Sequence, residues 1–361
     1  MDRSGGRSVR IRRLLVWLGA LAVVAMPATF PLAGAAFTAS SLATGTVSSG
    51  YVAPPSGLVV SQTCATGTIT LVGSTSSTGA SNDKLVLSTP AGVQANDILI
   101  AQVTNRYDAS VALSNNTPGG WTTIQRVATG TGANSLSSAM LWRRAVAGEP
   151  ASVTFTLGSG SGTTYLAGGI VAYRGVSTTT AINAFATSSG SGPSATLPSV
   201  TTTIANSVLV FATAKREDTL QQPTTSTSLW RLSSPAGTET QSASAGYETF
   251  AGPGATGART AAPVSGSAWT EWVAHTVALR PGLVPSATLT WTASPSSWAT
   301  GYTLEHVVGG AVQWAATVTP ISATSASYGP LTNGTTYDVR FTAYHGTWRS
   351  SSVPASLTTS C

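Results

Sequence analysis

The sequence predicts an all-β protein, and three observations carry that reading. Only 8% of its 361 residues are charged, and Ser, Thr, Gly and Ala crowd the spaces between short runs of Val, Leu and Ile. β-Branched residues suit a pleated, half-buried surface, while Gly, Ser, Thr and Pro mark turns. From TITLVG at residue 68 to HTVALRP ending at 281, such runs recur every 10 to 20 residues and never adopt a helical period. Low charge alone would permit disorder, but 10 Trp and 9 Tyr supply ample apolar surface to bury.

The N-terminal segment reads as targeting rather than fold. MDRSGGRSVRIRR is basic, LLVWLGALAVVAM is apolar, and LAGAAFT offers small residues before a cleavage point after Ala35 or Ala36. This order predicts a secretory signal peptide over residues 1–36. The alternative is an uncleaved membrane anchor, because residues 14 to 36 are 23 mostly apolar positions; Pro27 and Pro31 weigh against it. Removing residues 1–36 takes the formal charge from +6 to +2, with 13 basic and 11 acidic residues left. A nearly neutral chain has no basic stripe for nucleic acid. No second apolar span follows, so the expected mature protein is secreted or at the cell surface, without membrane contact. Lys84 and Lys215 are the only lysines against 16 Arg, a bias of GC-rich bacterial genomes.

Residues 37–56 are rich in Ser, Thr, Gly and Pro and read as a linker. GLVVSQTC then gives one short strand. The following strand signals include DKLVLSTP, DILIAQVTN, WTTIQRVATG, SAMLWRRAV, ASVTFTLGS, YLAGGIVAYRGV, SVLVFATAK and TEWVAHTVAL. About ten strands in about 210 residues imply one large β-sandwich of jelly-roll type. Cys64 and Cys361 are the two cysteines; in an exported chain they form a disulfide or, alternatively, remain separate thiols.

PAGVQANDILIAQV, GGWTTIQR, GGIVAYRGV, SVTTTIANSVLV and HTVALRP resemble a β-sandwich module of bacterial secreted and surface proteins. Asp97 reads there as a turn residue, and Gly119 and Gly120 as a turn delivering Trp121 to the core. The C-terminal part, through TLTWTASPSSWATGYTLE and LTNGTTYDVRFTAYHG, resembles a fibronectin type III domain. The resemblance implies that Trp291, Tyr302, Leu304, Val339, Phe341 and Ala343 point inward, with Leu331 under a turn and Tyr337 as the corner tyrosine. It also implies a register with Tyr302 opposite Ala343 and Glu305 opposite Arg340. The first strand of such a domain is missing directly upstream, and GLVVSQTC supplies it. The expected organisation is therefore a first strand at 57–66, a jelly-roll-like sandwich inserted at 67–283, and the rest of the fibronectin-like domain at 284–361. A Cys64–Cys361 bond would tie the split strand to its own domain.

Chemistry is sparse. His275, His306 and His345 lack metal-ligand spacing and read as surface or edge residues. The acids from Asp83 to Glu271 include one local cluster, KRED at 215–218, which reads as a solvated loop. No catalytic, cofactor or metal residue is expected. The expected function is a non-enzymatic binding or adhesion protein whose partner is an extracellular carbohydrate, a cell-wall polymer or a protein. Tyr107 and Trp348 are the candidate ligand contacts. Alternatives are a structural surface-layer or appendage subunit and, further off, a polysaccharide hydrolase or its accessory module.

Overall fold

The computed structural model describes residues 50–79, 83–106, 111–117, 120–158, 166–216, 220–233, 241–264 and 270–361. The signal segment and Tyr107 lie outside them. After β1 (Ser56–Thr66) the chain forms β2 (Thr70–Gly79), β3 (Lys84–Ser88), β4 (Ile98–Asn105), β5 (Leu113–Asn115), β6 (Thr122–Thr129), β7 (Leu136–Arg144), β8 (Ser152–Leu157) and β9 (Leu166–Arg174). Next come β10 (Ile182–Gly192), β11 (Ala195–Leu197), β12 (Thr201–Thr202), β13 (Ser207–Arg216), β14 (Leu220–Gln221), β15 (Thr227–Ser233), β16 (Gln241–Phe250), β17 (Gly254–Ala255), β18 (Arg259–Pro263) and β19 (Thr270–Leu279). The chain closes with β20 (Leu283–Thr292), β21 (Gly301–Val308), β22 (Ala311–Val318), β23 (Ser325–Tyr328), β24 (Thr336–His345), β25 (Trp348–Arg349) and β26 (Val353–Thr358).

β1 does not pair with its neighbour in sequence. It lies antiparallel to β20, Val60 opposite Leu289 and Cys64 opposite Pro285, so the strands from β2 to β19 form a sandwich inserted between them. The insert leaves and rejoins at one point, where Gly67 N donates to Gly282 O at 2.8 Å. Close ends are what make an insertion tolerable to its host.

Inside the insert the chain makes the same fold twice. Sheet β2-β9-β4-β7-β6 backed by β3-β8-β5 is followed by sheet β10-β19-β13-β16-β15 backed by β11-β18-β14. Each half thus has the interleaved strand order of a jelly roll. Register agrees as well: Ile98 lies opposite Tyr173 and Val208 opposite Leu279. Bulges fall at matching points, between Thr123 and Gln125 and between Ser228 and Trp230. Asn96 and Asn206, each two residues before the matched Ile98 and Val208, take positive φ of 75° and 59°, a conformation Asn tolerates. Aligned this way, TTIQRV at 122–127 matches TSLWRL at 227–232. The insert is therefore two stacked jelly rolls of one topology, where the strand spacing predicts a single large sandwich.

The halves stack through their five-stranded sheets, giving four layers and three cores. Ile98, Ile100, Val171 and Tyr173 meet Val208, Val210, Val277 and Leu279 in the central core. Leu99, Ala101 and Val103 of the same strand β4 instead enter the outer core with Leu85, Leu87, Val153 and Phe155; Leu209 and Phe211 of β13 do the same in the other half. Strands covered on both faces carry uninterrupted apolar runs rather than an alternation. Trp121 packs beside the first outer core, edge-on to Phe155 at 5.6 Å.

Matched positions trade volume. Gly169 corresponds to His275, and Trp230 to Gln125. A Cβ on Gly169 would stand 2.8 Å from the Trp230 ring and 2.6 Å from Thr75 O, while Trp230 Nε1 donates to Gln102 Oε1 at 3.1 Å. Gly169→Ala is therefore expected to lower unfolding stability by about 3 kcal/mol, measured by urea unfolding. A loss under about 1 kcal/mol would show that the tryptophan yields freely.

The small sandwich places β1-β20-β23 against β22-β21-β24, with β24 also pairing β25 and β26. Trp291, Tyr302, Leu304, Val339, Phe341 and Ala343 fill its core. Tyr302 lies opposite Ala343 and Glu305 opposite Arg340; among the described residues no ion pair joins the latter two. Tyr337 Oη accepts from Thr332 N at 2.8 Å, fixing the turn before β24. Cys64 and Cys361 are bonded, their Cα atoms 6.0 Å apart.

Candidate functional site

One end of the small sandwich holds two indoles out of its core. The loop from β20 to β21 is fixed from below: Ser294 N donates to Tyr302 Oη at 2.9 Å and Ala299 N to Ser296 O at 2.9 Å. Residues 51–53, the end of the expected linker, strap across it, with Ala53 N on Ser296 Oγ at 2.9 Å and Val52 buried. Trp298 stands on this braced loop and remains 44% exposed.

The second indole comes from the β24–β25 hairpin. His345 lies opposite Trp348, and Gly346 at φ 55° takes the left-handed conformation that a two-residue turn requires. Trp348 is 52% exposed. Trp298 and Trp348 have centroids 6.1 Å apart and planes at 90°. His345 packs edge-on to Trp298 at 5.3 Å, and its Nδ1 is 3.2 Å from Thr300 Oγ1. Beside them Arg349 covers Tyr344 at 5.0 Å.

Burying an indole is among the largest apolar gains open to a side chain. Two half-exposed indoles on braced elements leave that gain for a partner. The corner presents one ring face and one ring edge at right angles, with Thr300, His345 and Arg349 as hydrogen-bonding groups on its rim. Such a surface has the shape and chemistry to fit the C–H face of a sugar ring or an apolar side chain. The sequence reading missed Trp298. Its signal was a tryptophan among turn residues, PSSWATG, outside any strand alternation.

Polar groups of the insert behave differently from expectation. The KRED segment is not a solvated loop at its start, because β13 extends to Lys215 and Arg216 between β16 and β19; Glu217 and Asp218 lie outside the described residues. Lys215 is 0% exposed, its Nζ donating to Pro193 O at 3.0 Å. Arg216 pairs with Glu271 at 2.9 Å and donates to Asn134 Oδ1 at 2.7 Å. His275 is likewise no surface residue: β19 lies between β10 and β13, which puts its ring inside the central core. Burial pushes its pKa down to about 3. His306 is stacked on Trp314 at 5.6 Å, and desolvation lowers its pKa too.

Four carboxylates have arginine partners: Asp97 with Arg174 at 2.8 Å, Glu149 with Arg143 at 3.2 Å, Glu271 with Arg216, and Glu248 with Arg259. Asp97 also accepts from Gln94 N at 2.8 Å, which is its turn role. An open groove of about 460 Å³ runs past Thr225, Tyr247, Glu248 and Arg259, and the ion pair lines it. Among the described residues no three His, Cys, Asp or Glu side chains converge as a metal site. No helix among them is long and apolar enough to cross a membrane.

No protein-family model matches the chain, and no curated protein matches it. Among solved structures, the chicken CNTN1 FN1–FN3 domains align over 78% of this chain and 100% of theirs at 10% identity. The TM-score is 0.20, a superposition too loose to assign a fold or a function.

Proposed function

We propose that this chain is a secreted, non-enzymatic binding protein in which a fibronectin type III module, split by the two stacked jelly rolls, holds an extracellular or cell-wall carbohydrate at the Trp298–Trp348 corner. The observation that carries this reading is the corner itself: two exposed indoles at right angles, fixed by hydrogen-bonded backbone beneath them. Flat apolar faces with polar groups on the rim match the C–H and O–H surfaces of a pyranose. The non-enzymatic part is supported by the arginine pairing of Asp97, Glu149, Glu248 and Glu271, which leaves these acids committed to structure.

A glycan array that includes cell-wall polymers tests the proposal. Saturable binding is expected to fall at least about tenfold in Trp298→Ala and in Trp348→Ala, the loss of about 1.4 kcal/mol or more on removing a stacking ring. Unchanged binding in both variants, or release of sugar from the polymer, would reject it. Export rests on the tripartite segment over residues 1–36. Mass spectrometry of culture supernatant is expected to show a chain beginning at Ala36 or Phe37; full-length chain confined to membranes would reject cleavage.

A further inference from the structure

Sheet edges offer unpaired N–H and C=O groups, and most edges of this protein are blunted. β1 is covered at its end by the C-terminal residues through the disulfide and through Gln62, whose Nε2 donates to Ser360 O at 2.6 Å. β2 lies against β15, and β10 against β6, on the facing sheet. Arg126 and Arg231 charge β6 and β15, β23 has four residues, and β26 contains Pro354. β22 has none of these, and its one irregularity among the described pairs is the register shift at Gln313, before Trp314.

β22 reads AVQWAATV, without charge or proline, and sits at the open end of the order β22-β21-β24. Its residues from Ala311 to Ala315 are all exposed, Val312 at 49% and Trp314 at 36%. Trp314 is held in place from inside, its ring stacked on Tyr328 at 5.4 Å and on His306 at 5.6 Å. An uncharged edge is therefore presented to solvent, regular from Trp314 to Val318 and shifted in register at Gln313.

We propose that β22 pairs antiparallel with β22 of a second copy, joining the two small sandwiches through one continuous sheet. The strand complements itself. With the dyad at Ala315, side-chain alternation sets Trp314 of each copy opposite Ala316 of the other on the same face, so a large ring meets a methyl twice and the two indoles sit diagonally. No charge on the strand opposes its own copy, and a two-fold closes the assembly at two chains. This inference is independent of the carbohydrate reading, since its residues differ from those of the corner.

Sedimentation equilibrium of the mature full-length chain tests it. The wild type is expected to form a concentration-dependent dimer. Ala315→Lys sets two ammonium groups face to face at the dyad and is expected to raise the dimer dissociation constant at least about tenfold. Thermal unfolding of that variant confirms that its fold is retained. Ala315→Cys is expected to cross-link two copies under oxidation, and Ala311→Cys, distant from the dyad, is not. A wild type that stays monomeric overturns the proposal, including one that captures an extended segment of another protein. A dimer undiminished by Ala315→Lys, or equal cross-linking at 311 and 315, overturns it as well.

Discussion

Cys361→Ser, or reduction of the native bond, is expected to split the unfolding of this protein into two transitions. The bond closes a loop 297 residues long in sequence, but the insert returns to its starting point at Gly67 and Gly282. While the insert stays folded, the loop that matters is the small sandwich alone. In the chain-entropy model the lost constraint amounts to about 4 to 5 kcal/mol, and all of it falls on the small sandwich. The bond also aligns a terminal clamp in which Ser360 N donates to Gln62 Oε1 and Cys361 N to Asn333 Oδ1, each at 2.8 Å. Calorimetry with and without reductant is expected to show the small sandwich melting earlier and the insert unmoved. An unchanged thermogram would mean that β1 is held by its ladder with β20 alone.

Acid is expected to weaken the insert through His275. The folded pKa of about 3 lies below the ordinary 6.5, so between those values the unfolded chain binds a proton that the folded one refuses. Stability is therefore complete above pH 6.5 and declines as pH falls toward 3, by up to about 5 kcal/mol. The loss arises because a charged imidazole has no solvation between the five-stranded sheets. His306 is shifted in the same direction and acts on the small sandwich. Urea unfolding across this window is expected to show the wild type losing stability with acid faster than His275→Leu. Parallel curves would place the ring in contact with solvent.

The two halves of this architecture were unequally legible. The small sandwich could be read because its marks are large and single: Trp291 on one strand, Tyr302 on the next, and Tyr337 before Val339 and Phe341. Its absent first strand then pointed to GLVVSQTC and to the cysteine pair. The repeated topology was hidden because matched positions exchange size rather than keep identity, as with Gly169 and His275 or Gln125 and Trp230. One trace was present in the apolar runs ILIAQV and VLVFATA, which do not alternate; a strand of that kind is covered on both faces, and stacked sheets follow. Local charge misled at Lys215, since a residue beside three other charged ones reads as solvated whatever the strand beneath it does. The corner was half visible, Trp348 from its loop-like surroundings and Trp298 only once the fold had placed it 6.1 Å away.

The most direct test of carbohydrate recognition is a titration of the mature protein with an oligosaccharide that it retains on an array, followed through its indole N–H signals by NMR. Binding at the corner is expected to move the signals of Trp298 and Trp348, assigned by substitution, while those of Trp121, Trp230 and Trp291 stay in place. Movement of the buried signals with the two corner signals unaffected would contradict it.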